Sequence, residues 1–124
     1  MAAELSDEIF DQITELSEIG NEHAEHDEWE KALEAWQKAL SLVPQPYSDW
    51  EAATWLYVSI GDALDYLDKP NDALARFYDA LNCPGALDNP YIYYRIGEIQ
   101  FDQGDLAAAK EPLLKAYMLD GEAI

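Results

Sequence analysis

The chain has 124 residues, 26 acidic and 7 basic, for a formal net charge of -19, and 49% of its residues are apolar. That length holds one domain or one short repeat array and leaves no room for separate catalytic and regulatory domains. The apolar share is that of a globular chain, while the negative field repels nucleic acid and anionic membranes and favours basic partners.

Six helices are expected, in chain order. The first covers roughly residues 7 to 25. It belongs to an acidic run from Glu4 to Glu30, in which the first 30 residues hold 11 acidic and no basic side chains. A turn at His26-Asp27 leads to the second helix, roughly 28 to 43, which Pro44-Gln45-Pro46-Tyr47 ends. Ser48 with Glu51 reads as a capping box for the third helix, roughly 49 to 67. Asp68-Lys69-Pro70-Asn71 turns the chain into the fourth, roughly 71 to 82, and Cys83-Pro84-Gly85 breaks it again. Asp88 or Asn89 with Pro90 opens the fifth, roughly 90 to 103, and Gln103-Gly104-Asp105 leads into the sixth, roughly 105 to 118. Pro112 lies inside that last helix and is expected to kink or shorten it, at a cost of about 3 kcal/mol.

An internal repeat runs through these elements. Gly20, Gly61 and Gly97 are each followed twelve residues later by an alanine (Ala32, Ala73, Ala109). Four further on stands a bulky apolar residue (Trp36, Phe77, Leu113), and three beyond that a second alanine (Ala39, Ala80, Ala116). Ile19, Ile60 and Ile96 precede the glycines, and Leu16, Tyr57 and Tyr93 lie four positions before them. Small residues let two helices approach closely, and the large residue fills the space they leave, so the unit is a helical hairpin.

With its Leu/aromatic, Ile, Gly, Ala, large apolar, Ala order, closed by Pro44 and Pro84, the chain resembles the tetratricopeptide repeat (TPR) family over nearly its whole length. The resemblance implies an all-α fold of three stacked hairpins in a short right-handed superhelix, an α-solenoid, as one domain over residues 1 to 124 with repeats at about 13 to 46, 54 to 87 and 90 to 123. His23 and Leu64 fill the family's Tyr position in the first two units and Pro84 comes one place early; the departures are Gln100 at the Tyr position and Gly121 where a Pro is usual. The glycine spacings of 41 and 36 residues, against the family's 34, lengthen the first link and are expected to rotate the first two units and distort the groove there. Because few residues follow the last helix, no polar helix is expected to seal the stack, leaving Leu113, Leu114, Tyr117 and Met118 for a partner or for a second copy in a homodimer.

In this family the first helix of each pair lines a concave, protein-binding face. Carried over with Ile13, Thr54 and Pro90 as repeat starts, that face comprises Thr14, Ser17, Asn21, Ala24 and Glu25; Trp55, Val58, Asp62, Asp65 and Tyr66; and Tyr91, Tyr94, Glu98, Phe101 and Asp102. An aromatic floor set with carboxylates suits Lys or Arg side chains. The clamp with which co-chaperone members grip a C-terminal carboxylate falls on Ser17, Asn21, Asp62, Tyr91 and Arg95. Only Asn21 and Arg95 match it, and Asp62 would repel a carboxylate.

Chemistry beyond binding finds little support in the residues. His23 and His26 lack the further ligands of a metal site, and Cys83 has no partnered base; Ser/His/Asp groupings and phosphate-cradling loops are absent, so no catalysis, metal or cofactor is expected. Cys83 stands alone, which excludes an intramolecular disulfide. The start MAAELSDEIFDQ lacks the flanks of a signal peptide, and no run approaches the roughly 20 apolar residues of a membrane helix, so a soluble cytoplasmic protein is expected. The resulting functional expectation is a non-catalytic adaptor for a basic protein or peptide, with an immunity protein masking a cationic toxin preferred. The alternatives are a secretion chaperone and a self-associating structural subunit.

Overall fold

The structure, a computed structural model, describes residues 6 to 120. Its helices are α1 (Asp7–Glu25), α2 (Trp29–Ser41), α3 (Glu51–Tyr66), α4 (Pro70–Leu81), α5 (Pro90–Asp102) and α6 (Leu106–Asp120), with a 3-10 turn at Tyr47–Asp49. They pair as three hairpins, α1 with α2, α3 with α4 and α5 with α6, and stack through α2 on α3 and α4 on α5. No described helix is long and apolar enough to cross a membrane.

The repeated glycines explain why the hairpins close. A Cβ on Gly61 would lie 2.9 Å from the buried Phe77 ring and one on Gly97 2.5 Å from Leu113 Cγ, while one on Gly20 would overlap the Trp36 indole. Each glycine is thus the socket for the large residue of its own repeat, flanked by the fully buried pairs Ala32/Ala39 and Ala73/Ala80. Trp36 also donates from Nε1 to the Ser17 carbonyl at 3.3 Å, tying α2 to α1.

All three hairpin turns share one backbone solution. Asp27, Asp68 and Gly104 take left-handed φ values of 59°, 62° and 83°. The following amide reaches back five residues, from Glu28 to His23, Lys69 to Leu64 and Asp105 to Gln100, at 2.9, 2.9 and 3.0 Å. Such a 6→1 bond satisfies a carbonyl that the ending helix would otherwise leave free. Helix starts are more varied: Ser6 Oγ accepts from Ile9 N, and Asn89 Oδ1 from Tyr91 N, with Pro90 in the first helical turn.

Two expectations need correction. Ser48 does not cap α3. It lies in the 3-10 turn, and Trp50 takes the cap position with no side-chain bond, because the extra linker residues coil before the helix starts. The linker packs on the core through Val43, Tyr47 and Trp50, and one cavity is lined by residues of α1, α3 and α5. Nor does Pro112 shorten α6, which runs to Asp120. The carbonyl left without its intrahelical donor is that of Ala108, which borders an open groove of about 490 Å³ together with Pro112, and there water can reach it. The last repeat as drawn to residue 123, Gly121 and the acidic Glu4 lie outside the described residues.

Candidate functional site

The first helices of the three hairpins enclose a concave cavity of about 740 Å³. Asn21, Ala24 and Glu25 come from α1, Asp62, Asp65 and Tyr66 from α3, and Tyr91, Arg95, Glu98 and Asp102 from α5. On α5 these residues recur at i, i+4, i+7 and i+11, which keeps them on one face of a helix. The sequence reading missed Trp29, Trp36 and Ser59, which also line the cavity. Trp29 and Trp36 belong to the second helix of the first hairpin, where the family's list of concave positions does not look.

Trp55, Tyr94 and Phe101, expected in the groove, do not line it. Trp55 sits two turns before Asp62 on α3, roughly 10 Å along the axis at 1.5 Å per residue. Tyr94 and Phe101 are turned about 60–80° from the Tyr91, Arg95, Glu98 and Asp102 stripe at 100° per residue. Tyr94 still reaches the site indirectly, donating its hydroxyl to Glu98 Oε2 at 3.1 Å.

At the centre of the groove is an ion cluster. Arg95, 8% exposed, donates from Nε to Asp62 Oδ1 at 2.9 Å, from Nη2 to Asp65 Oδ2 at 2.8 Å and from Nη1 to Glu98 Oε1. The Tyr91 hydroxyl donates to both Asp62 oxygens at 3.1 and 2.9 Å, and the guanidinium carbon lies 5.6 Å from the centre of the Phe77 ring. Burial pushes the Asp62 carboxyl up from the usual aspartate range, against the downward pull of Arg95 and Tyr91, and Asp65 adds to the rise. Burial alone would lower the Arg95 pKa, but its bonds to Asp62 and Asp65 raise it. Burial, then the Asp62 charge, lifts the Tyr91 phenol well above its ordinary value.

The cluster has a chemical consequence. Arg95 is saturated by three carboxylates, so it is not free to hold an incoming carboxylate, and Ser17 is buried with its hydroxyl donating to the Ile13 carbonyl at 2.7 Å. Two of the five carboxylates lining the cavity, Glu25 and Asp102, have no hydrogen-bond or ion-pair partner among the described residues. The groove is therefore acidic even after its own arginine is counted.

At the α1 end of the groove, the Tyr66 ring stacks on Trp29 with centroids 4.2 Å apart and planes 2° from parallel. One ring face of Tyr66 is covered by Trp29, yet the residue remains 65% exposed. Elsewhere, His23, at the family's Tyr position, is only partly buried, and its Nδ1 turns to Glu28 Oε1 at 3.0 Å at the hairpin turn. Cys83 is buried, and burial raises its thiol pKa, keeping it protonated. No group of three or more His, Cys, Asp or Glu among the described residues is placed to hold a metal. Of the expected C-terminal surface, Leu113 turns inward against Gly97, whereas Leu114, Tyr117 and Met118 are exposed.

No family model and no curated protein sequence matches this chain. Solved structures do. The type III secretion chaperone SycD of Yersinia enterocolitica, in complex with a peptide of the translocator YopD, superposes with a TM-score of 0.77 at 16% identity, over 90% of this chain and 79% of that one. PcrH in complex with the chaperone-binding region of PopB gives 0.75 at 18% identity, over 95% and 86%. The first TPR of Spaghetti (RPAP3), bound to the HSP90 peptide SRMEEVD, gives 0.75 at 20% identity, over 90% and 84%. With three stacked hairpins, a glycine socket in each and this likeness to solved TPR structures, the chain has the all-α tetratricopeptide-repeat fold.

Proposed function

We propose that this chain is a protein-interaction module whose concave groove binds a basic segment of a partner protein. The observation that carries this reading is the groove's charge: five carboxylates line it, and its one cation, Arg95, is consumed internally. Charge complementarity of that kind selects partners and speeds encounter. Structural neighbours solved with a peptide or a region of a partner protein support a protein-binding role. The acidic HSP90 peptide SRMEEVD is the wrong sign for this one, since Asp62 occupies a clamp position and Arg95 is not free.

As the cellular role we favour inhibition of a cationic toxin. The seven acidic residues of α1, with no Lys or Arg on that helix, extend the negative surface beyond the groove and fit the masking of a basic active site. The secretion-chaperone role that SycD represents is the alternative. The test is fluorescence anisotropy with labelled hexalysine, then with the protein encoded immediately upstream. Glu25→Lys with Asp102→Lys should weaken binding at least about tenfold while the helical signal is kept, because neither residue supports the fold through a pair. Unchanged affinity refutes the groove. Failure of co-expression to suppress the toxicity of a basic upstream protein refutes the inhibitor role.

A second reading rests on α6. Leu114, Tyr117 and Met118 are exposed, Met118 to 72%, and the helix has balanced charge, with Lys110 and Lys115 against Glu111 and Asp120. Two copies of so acidic a chain would meet with least repulsion there, as a homodimer. Sedimentation of the parent and of Leu114→Glu with Tyr117→Glu checks this; identical monomer masses for both proteins refute it.

A further inference from the structure

We propose that the α1 end of the groove is a subsite selective for arginine: a guanidinium laid on the free face of Tyr66, with Glu25 as its counter-charge. This rests on the groove reading above and sharpens it from basic partner to arginine-bearing partner.

The molecule already contains such an arrangement. Arg95 is held in the same cavity by carboxylates, with its guanidinium carbon 5.6 Å from the centre of the Phe77 ring. A few residues away, the cavity repeats the ingredients without the cation. Tyr66 presents an exposed ring whose orientation is fixed from behind by the parallel Trp29, 4.2 Å away. Glu25 lines the same space without a partner among the described residues, and the amide of Asn21 stands one turn before it on α1. The cavity, at about 740 Å³, has room for a long side chain together with the backbone that carries it.

The choice of arginine over lysine follows from shape. A guanidinium is planar, so it can stack on a phenol ring while its N–H fork points sideways to carboxylates, and it is more weakly hydrated than an ammonium. A lysine ammonium gains the charge but not the stack. Trp29 matters because a ring held in one plane loses little freedom when the ligand arrives.

The experiment compares fluorescein-labelled hexa-arginine and hexalysine, which carry equal charge, by anisotropy at about 0.05 M salt, where a Debye length of more than 10 Å leaves charge attraction strong for both. The parent should bind hexa-arginine at least about fivefold more tightly. Tyr66→Leu should bring the ratio of the two affinities close to one, with circular dichroism confirming the fold; Trp29→Leu, which frees the Tyr66 ring, should reduce the ratio in part. Equal affinities in the parent, or a preference that survives Tyr66→Leu, overturn the arginine subsite and leave the groove reading standing. Binding of neither peptide overturns both.

Discussion

Replacing Arg95 by Met tests the ion cluster that organises the groove. Methionine keeps an unbranched apolar stem of similar reach but removes the guanidinium that Asp62, Asp65 and Glu98 share. Removing one partner of a buried ion pair typically costs about 3–5 kcal/mol, since the remaining charge is left uncompensated. Here the three carboxylate side chains retain 24%, 32% and 38% exposure, so water takes up part of the loss. A destabilisation of about 2–3 kcal/mol is expected, a sizeable share of the roughly 5–15 kcal/mol that holds a typical domain. Urea unfolding with an unchanged m-value measures it. Asp62→Asn with Asp65→Asn added to the Met variant should then restore stability, giving a coupling above about 0.5 kcal/mol in the cycle. A loss below about 0.5 kcal/mol for Arg95→Met, or strict additivity, would show that the cluster is surface decoration.

Gly20→Ala should destabilise by about 1–3 kcal/mol in the same assay, because the added methyl strikes the Trp36 indole and the helix-propensity gain of about 1 kcal/mol cannot offset it; combining it with Trp36→Leu should recover much of the loss. Asp68→Gly should stabilise by roughly 0.5–1 kcal/mol, since φ is 62° there; a loss would mean that the aspartate side chain matters to the turn. Folded Asp62 keeps its proton to higher pH than unfolded aspartate, so its contribution to stability is complete below the unfolded value and is lost as pH rises through the folded one. In that window Asp62→Asn should remove a downward slope of stability against pH, and an upward slope there would contradict the burial argument. Trp55→Ala should change hexalysine affinity less than about twofold, since Trp55 stands outside the cavity.

The hairpins were legible because their signal is local and repeated: a glycine, two alanines and one large residue at fixed spacing can pack in only one way, and Gly20 with Trp36 or Gly61 with Phe77 show it. Turns were legible for the same reason. The start of α3 was not, since Ser48 and Glu51 have capping spacing but the long linker coils into a 3-10 turn first. In the groove, the concave positions implied by the family resemblance located Asp62, Asp65, Tyr91 and Glu98. Trp29 was hidden because its contribution depends on how α2 meets α3 across the stack, a relation that no single helix carries. Arg95 stood out in the sequence only as a match to one position of a clamp that Asp62 disfavours; the placement of α3 against α5 reveals it as a bound counter-ion.

The two sides of the junction between the second and third hairpins are fastened differently. On the concave side the Arg95 cluster ties α5 to α3; on the outer side Tyr78, Leu81, Pro112 and Lys115 border an open groove rather than a filled seam. The outer side is tied by neutral bonds, Gln100 Nε2 donating to the Tyr78 hydroxyl at 3.2 Å and Gln103 Nε2 to Asn71 Oδ1 at 2.9 Å, whereas the concave side is tied by charge. The curvature of this junction therefore leans on a charge cluster, and Arg95→Met, which removes the guanidinium shared by α3 and α5, should let the third hairpin swing outward. Small-angle scattering would register this as an increase in radius of gyration without any loss of helix.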